Sequence, residues 1–233
     1  GVEGVTPAWL QAVFQHAGLD APRISMASSA PIGQGNLSAT YRTQITYNAN
    51  AEKAVNSVVC KLTALSPQAV DIAGQYDVFG REVHVYEAFG DNPPLSAPRC
   101  FLAKAGADGR SLTLVLEDLT GRARPGDQIA GCSIAEARAV VAEFARLHCA
   151  YWKNPGIAGA PWLFDRAGKA PLTGQSYPLA AAAFRERFDG RIDGGMLDAM
   201  DRFVPLAGDM TAAVGPRLTL IHGEPRVDNV LFE

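Results

Sequence analysis

The feature that most constrains the fold is a change in hydrophobic periodicity near residue 119 of the 233-residue chain. Before this point, short alternating or β-branched runs predict five antiparallel strands, at residues 24–32, 41–47, 55–62, 99–105 and 111–116. One main helix is predicted among them, at about residues 74–89. Strands collected in one part of a chain and helices in the other are typical of an α+β fold.

Helical spacing dominates the rest of the chain. Ser133 and Glu136 form a capping box, and the apolar stripe that follows as far as Tyr151 predicts a helix at the buried centre of a helical lobe. Two further helices and a short strand complete the predicted elements, at 176–188, at 196–213 with a kink at Pro205, and at 218–221. We therefore expect a sheet-rich lobe at 1–119 and a helical lobe at 120–233.

Composition argues against several classes of function. The formal net charge is −3, so the chain has no basic excess to neutralise a nucleic-acid backbone. No apolar run approaches the roughly 20 residues of a membrane span. The four cysteines and four histidines lack the C-x-x-C and H-E-x-x-H spacings of metal sites. This pattern predicts a cytoplasmic protein whose thiols are reduced and mostly buried.

The strongest local signal is a polar segment between two short apolar runs, His222-Gly-Glu-Pro-Arg-Val-Asp-Asn229. Phosphoryl transfer needs a carboxylate that orients the attacking hydroxyl and an amide or carboxylate oxygen on Mg²⁺. Protein kinases place these two residues five positions apart, and Glu224 and Asn229 have this spacing. A polar loop held between two strands can present such side chains rigidly at a cleft.

Three weaker signals precede this segment. Lys61 ends an apolar strand, where a lysine is costly unless it is paired, and Glu82 on the predicted helix could pair with it. The glycine-rich loop 33–38 could close its backbone amides over phosphates. Residues 116–119 end the fifth strand and could offer backbone groups to an adenine edge. Taken singly, each has a plainer interpretation: a surface lysine, a solvated glutamate or a tight turn.

The order of these motifs resembles that of the aminoglycoside phosphotransferase-like kinases. Within them, the chain is most similar to the ecdysteroid-kinase-like (choline-kinase-like) branch. The resemblance covers nearly the whole chain, and the matching stretches are residues 31–38, 58–61, 81–87, 114–119, 124–132, 145–148 and 222–229.

This resemblance implies a two-lobed kinase fold, with an antiparallel five-stranded sheet in the first lobe and a mostly helical second lobe. It also implies ATP in the cleft and an ATP-dependent transfer of phosphate to a small-molecule alcohol. The residues carried over as catalytic are Glu224, Lys61 and Glu82, with Asn229 as the Mg²⁺ ligand. The residues carried over as nucleotide-binding are Gly33, Gly35, Asn36, Leu37, Ser38, Lys61, Glu117, Asp118 and Leu119.

Two departures from the family pattern stand out. The family reads His-Gly-Asp where this chain has Glu224, and a displacement of about 1 Å can cost about a hundredfold in rate. The sequence also stops at Glu233, before the aspartate that holds the main Mg²⁺ in the family, so we expect the helical lobe to be incomplete.

These departures leave two alternatives to an active kinase. One is a catalytically impaired pseudokinase or nucleotide-binding module, and the other is a structural α+β domain without a ligand. For the acceptor we expect a lipophilic alcohol rather than a polycation, because residues 162–183 carry aromatic side chains and a single acid, Asp165. The oligomeric state cannot be inferred from these residues.

Overall fold

The computed structural model describes residues 1–34, 37–49, 51–63, 66–90, 92–157, 159–163, 166–213 and 218–233. Its main feature is a five-stranded antiparallel sheet with strand order β1-β2-β3-β5-β4. The strands are β1 (Ile24–Gln34), β2 (Ser38–Tyr47), β3 (Ser57–Thr63), β4 (Cys100–Ala105) and β5 (Leu112–Glu117). The predicted α+β class and the five-stranded sheet are confirmed.

One face of this sheet is covered by α1 (Pro7–His16). Thr6 and Pro7 set the start of the helix, because the Thr6 hydroxyl accepts a hydrogen bond from the Trp9 N–H at 3.2 Å and Pro7 occupies the first helical position. Its buried residues pack against alternate residues of β3, namely Val58, Cys60 and Leu62. The alternation of β3 places Lys61 on the opposite face of the sheet.

That opposite face is covered by two helices, α2 (Pro67–Gln75) and α3 (Val78–Phe89). Phe79 and Val83 of α3 are buried against Leu112 and Leu114 of β5. The predicted single helix at 74–89 is α3 alone, and α2 is an element that the prediction missed. The two helices are separated at Asp77, which has a left-handed backbone with a φ of 47° and therefore interrupts the helical path.

Past the sheet, two short strands pair antiparallel, β6 (Arg124–Pro125) with β7 (Leu231–Phe232). Helix α4 (Ile134–Ala150) follows β6. Its capping box forms as predicted, since the Glu136 N–H donates to the Ser133 hydroxyl at 3.2 Å and the Ser133 N–H donates to the Glu136 carboxylate at 2.7 Å.

The prediction that α4 forms a buried centre is wrong. Among the residues of α4, Leu147 alone is buried, while Ile134 and Val141 are 73% and 66% exposed. An apolar stripe indicates which side of a helix favours burial. That side is buried only where another element packs against it.

The remaining helices are α5 (Arg166–Phe188), α6 (Gly194–Phe203) and α7 (Ala207–Ala212). A 3-10 turn at Val204–Leu206 separates α6 from α7, which places the break at the predicted Pro205. Two predictions are wrong here: α5 begins ten residues earlier than the predicted 176, with two prolines inside it, and residues 218–221 form no strand.

Contacts group the chain into two compact units, one formed by Gly1–Ala150 with Leu220–Glu233 and the other by Tyr151–Thr219. This grouping follows contacts rather than function, so the predicted lobes at 1–119 and 120–233 remain a prediction. Within the described part of the chain, each helix is too short or too polar to span a bilayer.

The cysteines are less buried than predicted. Cys60 is buried and Cys100 is half-buried, but Cys132 and Cys149 are exposed. Burial raises the pKa of the Cys100 thiol to about 11, and burial also raises the pKa of Cys60. These two thiols are therefore neutral at ordinary pH and behave as small apolar side chains.

Candidate functional site

The structure brings Lys61 of β3 and Glu82 of α3 together. The Lys61 Nζ donates to both oxygens of the Glu82 carboxylate, at 2.6 and 2.8 Å. The two side chains are 30% and 26% exposed, so the pair is shielded but a ligand can reach it. Because β3 and β5 pair Lys61 with Leu114, the lysine lies on the face that carries α3.

The packing of α3 determines where Glu82 lies. Phe79 and Val83 anchor the helix on β5, and Glu82 lies between them in the sequence of the helix. One turn later, burial raises the pKa of Tyr86 far above its usual range, and the charge of Glu82 raises it further. Tyr86 is therefore a neutral neighbour that adds no second negative charge beside the pair.

The glycine-rich loop is only partly described. Gly33 lies within β1, opposite Thr40 of β2, so the predicted end of this strand at residue 32 is wrong by two residues. Gly35 and Asn36 lie outside the described residues. Leu37 packs on the core beside α3, and Ser38 is buried at the start of β2. A phosphate-covering role for residues 33–38 stays a prediction.

Residues 117–119, which the family resemblance implies form the hinge that contacts adenine, make separate backbone and side-chain contacts. Glu117 ends β5, and its N–H donates to the Arg99 carbonyl at 2.8 Å. The Leu119 carbonyl accepts from the N–H groups of Arg122 and Ala123, both at 2.9 Å. The adenine contact predicted for residues 117–119 is not tested by these bonds and remains a prediction.

The Asp118 side chain faces the sheet and is only 3% exposed. Its carboxylate accepts from Arg42 at 3.0 Å, from Ser57 at 2.6 Å and from the Thr120 hydroxyl at 2.6 Å. Burial alone would raise the pKa of Asp118, but the bonds from Ser57 and Thr120 and the charge of Arg42 outweigh burial and lower the pKa. The side chain therefore ties the hinge to β2 and β3, so any ligand contact falls to the backbone.

The segment 222–229 forms a compact loop ahead of β7. The Glu224 carbonyl accepts from the Arg226 N–H at 2.9 Å and from the Asn229 side-chain amide at 3.0 Å. The predicted pair, Glu224 and Asn229, is thus joined directly across its five-residue spacing. The His222 ring contacts Phe144 of α4, with ring centroids 5.7 Å apart.

Sequence reasoning did not identify Arg226 and Asp228 as part of this loop's chemistry. The Arg226 guanidinium makes a two-point contact with the Asp228 carboxylate, at 3.1 and 2.9 Å, and lies 3.3 Å from a carboxylate oxygen of Glu224. The available signal was the presence of opposite charges two residues apart, which loops show commonly and which points to no particular contact.

The stretch after the hinge packs directly on this loop. The Gly126 N–H donates to the Val230 carbonyl at 3.0 Å, and a Cβ at position 126 would lie 2.3 Å from the Val227 carbonyl oxygen. Arg122 bridges Glu117 of the hinge and Glu233 beyond β7, at 2.9 and 3.2 Å. The stretch after residue 119 and the segment 222–229 are therefore held together within one compact unit.

The donor chemistry of these residues fits a nucleotide better than a complete metal centre. Lys61 offers a cation to phosphate oxygens. Asn229 uses its amide N–H₂ on Glu224, which leaves its amide oxygen as a donor suited to Mg²⁺. Among the described residues, no group of three histidine, cysteine, aspartate or glutamate side chains could hold a metal ion.

Comparison with known proteins identifies the family of this chain. The family model for the ecdysteroid kinase-like family matches residues 33–154, which is more than half of the chain. This range includes the glycine-rich loop, Lys61, Glu82 and the hinge, whereas the segment 222–229 lies outside it. A search of curated proteins found no significant match. The chain therefore belongs to the ecdysteroid kinase-like family, and its α+β fold is of the kinase-like type that the sequence predicted.

Proposed function

We propose that this protein is an ATP-dependent phosphotransferase that moves the γ-phosphoryl group to a hydroxyl of a small molecule. The observation that carries the proposal is the ion pair between Lys61 and Glu82, at 2.6 and 2.8 Å, which joins the central strand β3 to α3. Kinases need such a pair to hold a lysine against the nucleotide phosphates. Membership of a kinase-like family supports the same activity.

ATP would be bound through three parts of the first unit. Lys61 neutralises the α- and β-phosphates, while Glu82 fixes the direction of its ammonium. The loop 33–38 covers the phosphates with backbone amides, and the backbone of residues 117–119 contacts the adenine. Because the Asp118 side chain is committed to Arg42 and Ser57, it sets the position of this backbone.

The chemical step is assigned to the loop 222–229. The acceptor oxygen forms a bond to the γ-phosphorus, the bond from this phosphorus to the bridging oxygen of ADP breaks, and Glu224 takes the hydroxyl proton. Asn229 contributes an oxygen ligand to Mg²⁺, which neutralises phosphate charge when it is bound. The protein lowers the barrier by positioning and electrostatics rather than by covalent chemistry.

For the acceptor we propose a lipophilic alcohol. The second unit is rich in aromatic contacts, such as the edge-on pair of Tyr177 and Phe203 at 5.3 Å, and the side chains of this unit would provide apolar contact area. We further propose that the enzyme works in the cytoplasm, because all four of its cysteines are free.

Titration calorimetry with MgATP tests the nucleotide site. We expect Lys61→Ala to weaken binding by more than about tenfold, since it removes a charged hydrogen-bonding partner of the phosphates. Lys104→Ala, at an exposed lysine on β4, is the matched control and should bind like the parent. Equal affinities of the parent and Lys61→Ala would show that the assigned site is wrong.

A second candidate function is a nucleotide-binding module without turnover. The presence of Glu224 in place of the family's aspartate favours it, because the longer side chain displaces the carboxylate that should orient the acceptor hydroxyl. Phosphoryl transfer to a panel of alcohols, measured for the parent and for Glu224→Asp, separates the two functions. Robust turnover by the parent rejects the binding module, whereas MgATP binding without turnover rejects the phosphotransferase.

A further inference from the structure

We propose that Arg226, anchored on Asp228, is a positioning residue that holds the longer carboxylate of Glu224 where phosphoryl transfer needs it. The inference rests on the proposed function and names a residue that the family pattern does not assign. It begins from the contacts of one guanidinium, which binds Asp228 at 3.1 and 2.9 Å and lies 3.3 Å from Glu224.

The anchor is directional. A two-point contact between a guanidinium and a carboxylate fixes the plane of the arginine fork, which a single-point contact does not. The Arg226 and Asp228 side chains are 33% and 36% exposed, whereas the Glu224 side chain is 62% exposed. The pair of Arg226 and Asp228 is therefore the more shielded part of the loop, and the exposed Glu224 carboxylate is the group that Arg226 restrains.

The backbone of the loop is already fixed by other bonds. The Glu224 carbonyl accepts two hydrogen bonds, and the Arg226 carbonyl accepts the Asn229 N–H at 3.0 Å. What remains free is the Glu224 side chain, which has one more rotatable bond than an aspartate. A carboxylate on a longer side chain occupies the position needed for catalysis less often unless a contact holds it there.

The geometry leaves the carboxylate available for its proposed task. Arg226 approaches one carboxylate oxygen of Glu224, Oε1, through its Nη1 atom. The second oxygen can still accept a hydrogen bond from the hydroxyl of the substrate. Because Asp228 balances the arginine charge, the loop does not place an uncompensated cation beside Glu224. The contact orients the carboxylate, whereas Asn229 remains a separate contact to the loop backbone.

A double-mutant cycle with Arg226→Met and Glu224→Asp tests the proposal in the full chain. Methionine keeps an unbranched side chain but removes the fork. We expect Arg226→Met to lower kcat by about a hundredfold while KM for ATP changes by less than about twofold. In the Glu224→Asp background the same change should cost less than about threefold, since the shorter side chain does not depend on the arginine.

The matched control is Arg138→Met, at an exposed arginine on α4, which should leave kcat unchanged. Asp228→Asn keeps the arginine but weakens its anchor, so we expect a smaller fall in kcat in the same direction. Equal losses from Arg226→Met in both backgrounds would overturn the proposal, as would a rise in KM for ATP with kcat unchanged.

Crystal structures of the parent and of Arg226→Met separate this proposal from the proposed function. If the parent transfers no phosphate, the proposed function fails, but the position of Glu224 can still be compared. Positioning by Arg226 predicts an ordered Glu224 carboxylate in the parent and a displaced or disordered one in the variant. An unchanged Glu224 rotamer in the variant would contradict it.

Discussion

Two groups of charged residues in this molecule are built in different ways. Lys61 and Glu82 meet across 21 residues of sequence, and each is held by a packed core on the sheet face that carries α3. Glu224, Arg226 and Asp228 lie within five residues of each other on a largely exposed loop. The first group depends on tertiary packing, whereas the second depends on bonds within its own loop. Damage to the core should therefore affect them unequally.

The largest effect is expected from Phe79→Ala. Phe79 is almost fully buried under α3, so its loss should lower the free energy of unfolding by about 3–5 kcal/mol. It should also weaken MgATP binding, because α3 carries Glu82. Phe14→Ala on the opposite face should destabilise the fold to a similar extent, since Phe14 is also fully buried, but should leave the affinity of the folded protein unchanged.

Chemical denaturation and calorimetry at low temperature measure both quantities for the two variants. Equal losses of MgATP affinity in Phe79→Ala and Phe14→Ala would remove the distinction between the two faces of the sheet.

Gly126→Ala should disturb the loop that carries Glu224, Arg226 and Asp228. The added Cβ would lie 2.3 Å from the Val227 carbonyl oxygen, a backbone atom that cannot rotate away. We expect the loop to shift by about 1 Å and kcat to fall by about a hundredfold, with MgATP binding close to that of the parent. Gly4→Ala is the control, since nothing lies within 4 Å of its added Cβ. Loss of MgATP binding in Gly126→Ala would mean that the two groups are coupled.

Glu82→Gln weakens the core-held pair without altering packing. The amide keeps a neutral hydrogen bond to Lys61 but loses the charge, at a cost of about 1.5 kcal/mol, or about tenfold in KM for ATP. The parent and the variant should have the same far-ultraviolet circular dichroism. The paired variant Glu87→Gln, at an exposed position on the same helix, should behave like the parent in steady-state kinetics.

The two groups also differ in how far sequence could predict them. Lys61 and Glu82 were paired correctly because an isolated charge in an apolar strand needs a partner and a helical carboxylate follows it. The register that places Lys61 opposite Leu114 could not be read from spacing, since it depends on how β3 and β5 align. The contact between Arg226 and Glu224 was missed because a loop has no periodicity from which a contact can be inferred.

The errors in predicting α2 and the burial of α4 have related causes. The start of α2 carried a readable signal, Ser66 followed by Pro67, and the Ser66 hydroxyl does accept from the Ala69 N–H at 3.4 Å. The exposed apolar side of α4 carried no such signal, because a stripe on one helix does not indicate whether another element covers it. Long-range partners were thus the least predictable part of this fold.

The smallest expected effect is the pH dependence of stability that Asp118 contributes. Asp118 is bonded to the sheet, like the core around Lys61 and Glu82, but its carboxyl group titrates. Its pKa in the folded protein lies below the ordinary value of about 3.9, because the bonds from Ser57 and Thr120 and the charge of Arg42 outweigh its burial. A lowered pKa in the folded state means that the carboxylate stabilises the fold above pH 4 or so, and that this contribution is lost as the pH falls through the folded pKa.

Urea unfolding of the parent and of Asp118→Asn between pH 7 and pH 3 measures this contribution. Asparagine keeps the shape but not the charge, so the difference in the free energy of unfolding should be largest at neutral pH and should shrink as the pH approaches 3. A pH-independent difference for Asp118→Asn would mean that the side chain acts through its hydrogen-bond geometry alone. The hinge would then be held by packing and shape, as the two sheet faces are, rather than by charge.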